Sequence, residues 1–402
     1  MCLNCAMIDP VGTRILAAIA ALGIGGLVFA AARHEQKGKL PKARELDSGI
    51  VWRRDPATGE LHAVQQRSYR EASTTRAPSD PRAIRSTTQI VAVTCMVSTQ
   101  SGLPVPGLKR ADFRVYDNGV AQQIAYFDAS TQPANVAIVI DASPSVLHDA
   151  DEMKQAADAL INALAPLDQA AIVDFAFHTY LQLPFTDVRE LMRRAVTRVS
   201  VQELFGDTGG SNIYEAVYLT ALELFRGRTG RKAIVLLTDG QDSGMGLTLD
   251  PESEHPRPTD PNKLTWDDLV QLLASEDIQV FAVSTQNRPR IMSAQWLDDH
   301  RDKTLISPNA LTVGVPAYTA FLAEVVRQAG GQLYFLNEAP TLADTFRQIA
   351  EKIRAEYTLG YYPQPGAGAT GRSGWHRLRV ELPTDPNVTI SNRAAYYVSS
   401  SP

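Results

Sequence analysis

The sequence predicts an α/β fold: a doubly wound, mostly parallel sheet, with a small β-rich unit built from the segments that flank it. Three observations carry this. Val136–Ile140 and Ala233–Leu237 are short, continuous apolar runs, as expected of strands buried on both faces. Strand-like and helix-like segments alternate at least four times between residues 134 and 355, which argues for a parallel sheet covered by helices. Strand patterns return on their own before and after that region.

The elements follow in chain order. Gln89–Ser98 is rich in β-branched residues and reads as a strand. Phe113–Tyr116 and Gln123–Phe127 flank Asp117-Asn118-Gly119, a hairpin signal because both central residues tolerate positive φ. After the Val136–Ile140 strand, a helix is expected over Val146–Leu164, with Met153, Ala157, Leu160, Ile161 and Leu164 on one face and Pro166 past its end. Ala170–Phe177 reads as a strand, and Tyr180–Phe185 as an antiparallel edge beside it. Helices are expected over Val188–Val199 and Ile213–Phe225, ahead of the Ala233–Leu237 strand. Trp266–Ala274 and Ile278–Val283, then Pro316–Ala329 and Gln332–Leu336, repeat the helix–strand pattern, and Leu342–Ala355 is a last helix. Asp242–Lys263 and Thr285–Val315 are polar and Pro-rich and read as surface insertions. Tyr357–Tyr362, Trp375–Leu382 and Val388–Ser391 are strand candidates expected to pair with those of residues 86–130.

The 402 residues, 44% hydrophobic and 21% charged, suit a globular chain, and three cysteines are too few for a disulfide scaffold. Cys95, alone in an apolar strand, reads as a small buried hydrophobe. The net charge of −5 is uneven. Residues 33–85 carry twelve Lys/Arg against seven Asp/Glu, and residues 1–32 are neutral, so the rest sums to −10. A folded part this acidic argues against a nucleic-acid binder. Ile15–Ala32 has eighteen residues without a charge, enough to cross a bilayer core. Residues 1–32 are expected to be a signal peptide or a membrane anchor, with a buried core helix as the bland alternative. Arg33, Lys37, Lys39, Lys42 and Arg44 follow the segment and would, by the positive-inside rule, keep that side cytoplasmic. Long domains translocate largely regardless of charge, and export of the body is expected. Residues 33–85 read as a disordered basic linker, residues 86–133 as a β-rich segment, 134–355 as the α/β domain and 356–402 as a C-terminal β segment.

In open parallel sheets, ligands bind beyond the carboxyl ends of the strands, where the strand order reverses. Asp141-Ala142-Ser143-Pro144-Ser145 follows the first such strand, and Thr238-Asp239-Gly240 follows a later one. Gly209-Gly210-Ser211-Asn212 lies just before a helix. These loops offer only oxygen donors, with no Cys or His among them to favour zinc. Such a set suits a hard cation, with Mg²⁺ expected and Mn²⁺ or Ca²⁺ as alternatives. The bland alternative is a metal-free fold in which Asp141 and Asp239 only cap local turns.

With these three loops in this order, the sequence resembles the von Willebrand factor A family, whose domain is Rossmann-like and whose metal-ion-dependent adhesion site is built from them. Gly107-Leu108, Asp112-Phe113, Val115-Tyr116-Asp117-Asn118-Gly119 and Tyr357-Thr358-Leu359-Gly360-Tyr361-Tyr362 are similar to a bacterial group of exported relatives. The resemblance implies that Ser143 and Ser145 bind the metal directly, Ser211 directly or through water, and that Asp141 and Asp239 hold metal-bound waters or complete the shell. Pro144 departs from the family's Gly, stiffening the loop and removing one N–H, and Ser211 stands where the family has Thr. The resemblance implies adhesion to a protein partner whose carboxylate completes the metal shell.

Other candidates are weaker. Asp174, inside an apolar strand, either supports the site from behind or bridges to a neighbouring strand. The seven histidines do not cluster, and the tyrosines of the C-terminal segment read as sheet packing. No nucleotide-binding loop or nucleophile elbow occurs. The expected function is therefore an exported or membrane-tethered binding protein, not an enzyme. A structural assembly module without metal and a metal-dependent hydrolase are the alternatives.

Overall fold

The computed structural model describes residues 40–46, 52–54, 61–63, 90–99, 103–129, 132–201, 211–242, 264–292, 296, 315–336, 342–363, 374–385 and 387–398. The expected signal peptide or anchor, Gly209, Gly210 and most of the two insertions lie outside the described residues.

The strands, in chain order, are β1 Arg44–Glu45, β2 Trp52–Arg54, β3 Leu61–Ala63, β4 Val91–Thr99, β5 Arg114–Asp117, β6 Val120–Gln122, β7 Ile124–Asp128, β8 Ala134–Asp141, β9 Gln169–Phe175 and β10 Thr179–Thr186. They continue with β11 Arg231–Thr238, β12 Gln279–Ser284, β13 Leu333–Phe335, β14 Glu356–Tyr361, β15 Gly374–Glu381, β16 Val388–Asn392 and β17 Ala395–Val398. The helices are α1 Ala150–Ala163, α2 Arg189–Arg198, α3 Ile213–Leu224, α4 Trp266–Ser275, α5 Ala317–Gln328 and α6 Leu342–Arg354.

Seven strands form the main sheet in the order β1-β10-β9-β8-β11-β12-β13. Strands β9, β8, β11, β12 and β13 run parallel, while β10 and β1 add antiparallel pairings at one side. All eight residues of β8 are buried, the reason its sequence is a solid apolar run rather than an alternation. Ala137 and Val139 of β8 pack with residues of α3, α4 and α5 in one core. Helix α1 packs on α2 and α6, and α1 and α6 lie against β11 on the other face. The chain leaves β8 for β9 on one side and later returns to β11 on the other, so β8 and β11 flank the point where the strand order reverses.

The flanking segments make a two-layer β unit. One sheet has the order β16-β4-β14-β7 and the other β17-β15-β5-β6. Both sheets combine strands from before and after the α/β domain, alternating in the first and meeting at the β15–β5 pair in the second, so that domain is an insertion between them. The β5–β6 hairpin turns at Asn118 (φ 47°) and Gly119 (φ 80°), the left-handed pair its sequence calls for. Val93, Cys95, Val97, Val115, Leu359 and Val380 are among the side chains filling the space between the layers. Burial pushes the Cys95 thiol well above its usual pKa, which makes it inert packing.

Two buried polar contacts fix the unit. Asp117 Oδ2 accepts hydrogen bonds from the hydroxyls of Tyr361 at 2.8 Å and Tyr396 at 2.7 Å. Its Oδ1 lies 2.8 Å from Nδ1 of His376. Tyr361 belongs to one sheet and the other three to its partner, so this cluster pins the layers together. Where β11 and β14 begin, Arg231 donates to the Glu356 carbonyl at 2.8 Å and to Thr358 Oγ1 at 2.9 Å, and pairs with the Glu356 carboxylate at 3.2 Å. This buried junction locks the β unit to the base of the main sheet.

Within residues 33–85, expected to be a disordered linker, the described stretches include paired strands. Arg44 and Glu45 pair with Leu181 and Tyr180, Leu46 N donates to Thr179 O at 2.9 Å, and Leu46 is 2% exposed in the main core. Strands β2 and β3 also pair with each other. Tyr180 and Leu181 are therefore paired on both sides rather than lying at the sheet edge. A two-residue strand has too few positions to show a period, so a single buried leucine among charged neighbours is its only mark. The expected helix from Val146 instead begins at Ala150, after a 3₁₀ turn at Pro144–Val146.

Leu46→Ala is therefore expected to cost about 2–4 kcal/mol in urea denaturation, as for other large-to-small core changes. Leu103→Ala, at a residue 51% exposed, should change stability by less than about 0.5 kcal/mol.

Candidate functional site

The site is assembled at the carboxyl ends of β8, β9 and β11. Asp141 ends β8, and the next residue donates from Ala142 N to Phe175 O at 2.7 Å, holding the ends of β8 and β9 together. Ser143 N donates to Asp141 Oδ1 at 2.9 Å, folding the loop back on the carboxylate. Pro144 opens the 3₁₀ turn, a position whose N–H has no intrahelical partner, so the missing donor leaves no gap there. The turn brings Ser143 Oγ and Ser145 Oγ to 3.0 Å. Ser143 is buried, and Ser145 is exposed.

Thr238, the last residue of β11, donates from Oγ1 to Asp141 Oδ2 at 2.5 Å and accepts from Gly240 N at 3.0 Å. Gly240 has φ 86°, which lets the chain turn sharply enough to make that second contact. Asp239 is 1% exposed, and Gln241 donates to both of its oxygens, from the backbone at 2.9 Å and from Nε2 at 3.0 Å. Ser211 is buried. Its neighbour Asn212 anchors the loop, donating from the backbone to Ala176 O at 2.9 Å and from Nδ2 to Phe177 O at 2.8 Å.

Thus Asp141, Ser143 and Ser145 are joined by direct hydrogen bonds, and the loops of Ser211 and Asp239 end at the same edge of the sheet. Sequence reasoning gave no role to Thr238 or Asn212. Thr238 orients Asp141 and Asn212 fixes the Ser211 loop, and the signal for both was their place beside a candidate ligand. Asp174 accepts from Gln182 Nε2 at 2.7 Å on the neighbouring strand, which is the bridging alternative.

The electrostatics are unbalanced. Burial pushes the Asp141 carboxyl up to about 6, hydrogen bonds from Ser143 and Thr238 oppose this, and the nearby Asp239 charge adds to it. Among the described residues, no lysine or arginine forms a salt bridge with Asp141 or Asp239. The described residues contain no group of three His, Cys, Asp or Glu that could hold a metal. Any cation here would depend on the hydroxyls of Ser143, Ser145 and Ser211 as well as the two carboxylates.

Residues 136–241 match the von Willebrand factor type A domain family. That segment is similar to a von Willebrand factor A domain. The match covers β8 through the loop after β11, and so contains all three site loops. Among solved structures, the chain is similar to an aerotolerance-related membrane protein of Bacteroides fragilis NCTC 9343, at 16% identity and a TM-score of 0.38, over 55% of this chain and 98% of that one. It is similar to BatB of Bacteroides thetaiotaomicron at 16% identity and a TM-score of 0.37, again over 55% and 98%. A von Willebrand factor type A protein of Catenulispora acidiphila aligns at 14% identity and a TM-score of 0.35, over 78% of this chain and 74% of that one. No curated protein matches the chain.

The shift at Asp141 has a signed consequence. Its folded-state pKa, about 6, lies above the unfolded value of 3.8. The folded state therefore binds more protons between these values, and stability falls as pH rises through that window. In EDTA, urea denaturation of the wild type should lose about 2 kcal/mol between pH 4 and pH 7 relative to Asp141→Asn, which cannot titrate.

Proposed function

We propose that this is an extracytoplasmic binding protein, secreted, periplasmic or tethered to the membrane. Its von Willebrand factor A domain captures a protein partner through a divalent cation, Mg²⁺ first, with Mn²⁺ or Ca²⁺ as alternatives. One observation carries the reading: two buried carboxylates lie without a described counter-charge beside hydroxyls, one of which, on Ser145, is open to solvent.

A divalent cation bound there would supply positive charge and a coordination position open to an anionic oxygen. Ser143 and Ser145 would hold it directly, and Ser211 directly or through water. Asp141 and Asp239 would hold its waters or complete the shell. Thr238 and the Ser143 N–H keep Asp141 aimed, and Asn212 keeps the Ser211 loop against the end of β9. Neutral hydroxyls leave much of the cation's charge unmatched, which favours a carboxylate from the partner over a neutral group. The extracytoplasmic address rests on the apolar Ile15–Ala32 segment. Among the described residues, no helix is long and apolar enough to cross a membrane. The reading is of a binding module, since metal-assisted hydrolysis would need a general base against the cluster.

A metal-free assembly module is the second reading. It is favoured by Gln241, which satisfies both oxygens of Asp239 from within the loop.

Isothermal titration of the full chain with Mg²⁺ separates the two. Binding is expected, with affinity at least about tenfold weaker in Asp141→Ala and Ser143→Ala, as for loss of a ligand or its support. No binding by the wild type, or equal affinity in both variants, would favour the metal-free module.

A further inference from the structure

Four titratable side chains meet between the two layers of the β unit. Asp117 closes β5, Tyr361 closes β14, His376 lies in β15 and Tyr396 in β17. Pairing of β15 with β5 and with β17 brings Asp117, His376 and Tyr396 together, and Tyr361 reaches them from the facing sheet. None of the four is more than 9% exposed. Asp117 and Tyr361 also belong to sequence motifs of the flanking segments that the cluster around Asp141 leaves unused.

The donor atoms are evenly spaced. Asp117 Oδ2 lies 2.8 Å from the Tyr361 hydroxyl and 2.7 Å from that of Tyr396. His376 Nδ1 lies 2.8 Å from Asp117 Oδ1 and 3.2 Å from the Tyr396 hydroxyl. Neighbouring ligands of an octahedral cation with bonds of about 2.0 Å stand about 2.8 Å apart. The cluster therefore has the spacing of adjacent corners of such a shell, and Ca²⁺, with bonds of about 2.3–2.6 Å, is too large for it. The donors are a carboxylate, two phenol oxygens and an imidazole, a hard set without sulfur. Charge narrows the choice further. With Asp117 and both phenols ionised, the set carries three negative charges, and a buried site favours the cation that neutralises them. A divalent cation leaves one negative charge buried or one phenol protonated, whereas a trivalent one leaves neither.

We propose that Asp117, Tyr361, Tyr396 and His376 form a binding site for ferric iron between the two sheets of the β unit. The iron takes the place of the protons that these groups share. Both phenolic protons leave to solvent, His376 keeps its proton on Nε2 so that Nδ1 is free to bind, and no electron is transferred. Burial, with the Asp117 charge adding to it, pushes both phenols above the usual tyrosine range. They hold their protons until a strong Lewis acid displaces them, so binding weakens as pH falls.

The test is titration of the full chain, freed of metal by a chelator, with ferric nitrilotriacetate under visible light absorption. Phenolate bound to ferric iron gives a visible charge-transfer band, and a site of carboxylates and aliphatic hydroxyls such as that around Asp141 gives none. The band should saturate at about one iron per chain with release of about two protons. Tyr361→Phe and Tyr396→Phe keep their rings and should each bind at least about tenfold more weakly, with urea midpoints that show a folded chain. Wild-type crystals soaked in the same complex need no variant, and anomalous scattering at the iron edge should place the ion among the four side chains. No band in the wild type, a band that both variants keep at full strength, or iron located elsewhere would overturn the site.

Discussion

The hydrogen bond from Thr238 to Asp141 is the contact on which the rest of the site depends. It joins the last residues of β8 and β11, the two strands that flank the reversal of strand order. Parallel pairing of Arg231–Leu237 with Ala134–Ile140 brings these ends level. The β8–β9 pairing then sets Phe175 opposite Asp141, and the Ser211 loop hangs from the residue after Phe175. Each loop is thus positioned by a buried strand rather than by its own sequence.

Burying a carboxylate without a partner costs several kcal/mol, and a fold tolerates it only when something offsets it. Among the described residues, several other buried carboxylates are matched, while Asp174 meets the Gln182 amide. Glu356 is pushed up by burial but faces Arg231, Asp168 faces Arg354 at 3.1 Å, and Asp117 is surrounded by two tyrosines and a histidine. Among the described residues, Asp141 has hydrogen bonds but no lysine or arginine partner.

Much of the architecture was legible in the sequence, and for definite reasons. The apolar runs of β8 and β11 follow from burial on both faces, and Asn118-Gly119 followed from the positive φ its hairpin needs. The site loops were legible because a ligand loop in such a sheet must follow a strand's carboxyl end. What stayed hidden was non-local. Asp117 and His376 meet across 259 positions, and neither has a local pattern that announces the other. Leu46 joins the core through a strand of two residues, too short for any period, in a stretch whose charge suggested solvent. Thr238 looked like one more strand residue until its hydroxyl was seen to reach Asp141.

The central claim, that the buried acids exist to hold a cation, is tested most directly by crystals of the full chain grown with Mn²⁺ and measured for anomalous scattering. The expected result is a single strong peak at the carboxyl ends of β8 and β11, within about 2.2 Å of the hydroxyls of Ser143 and Ser145. No peak there, with Gln241 still bonded to both oxygens of Asp239, would contradict it.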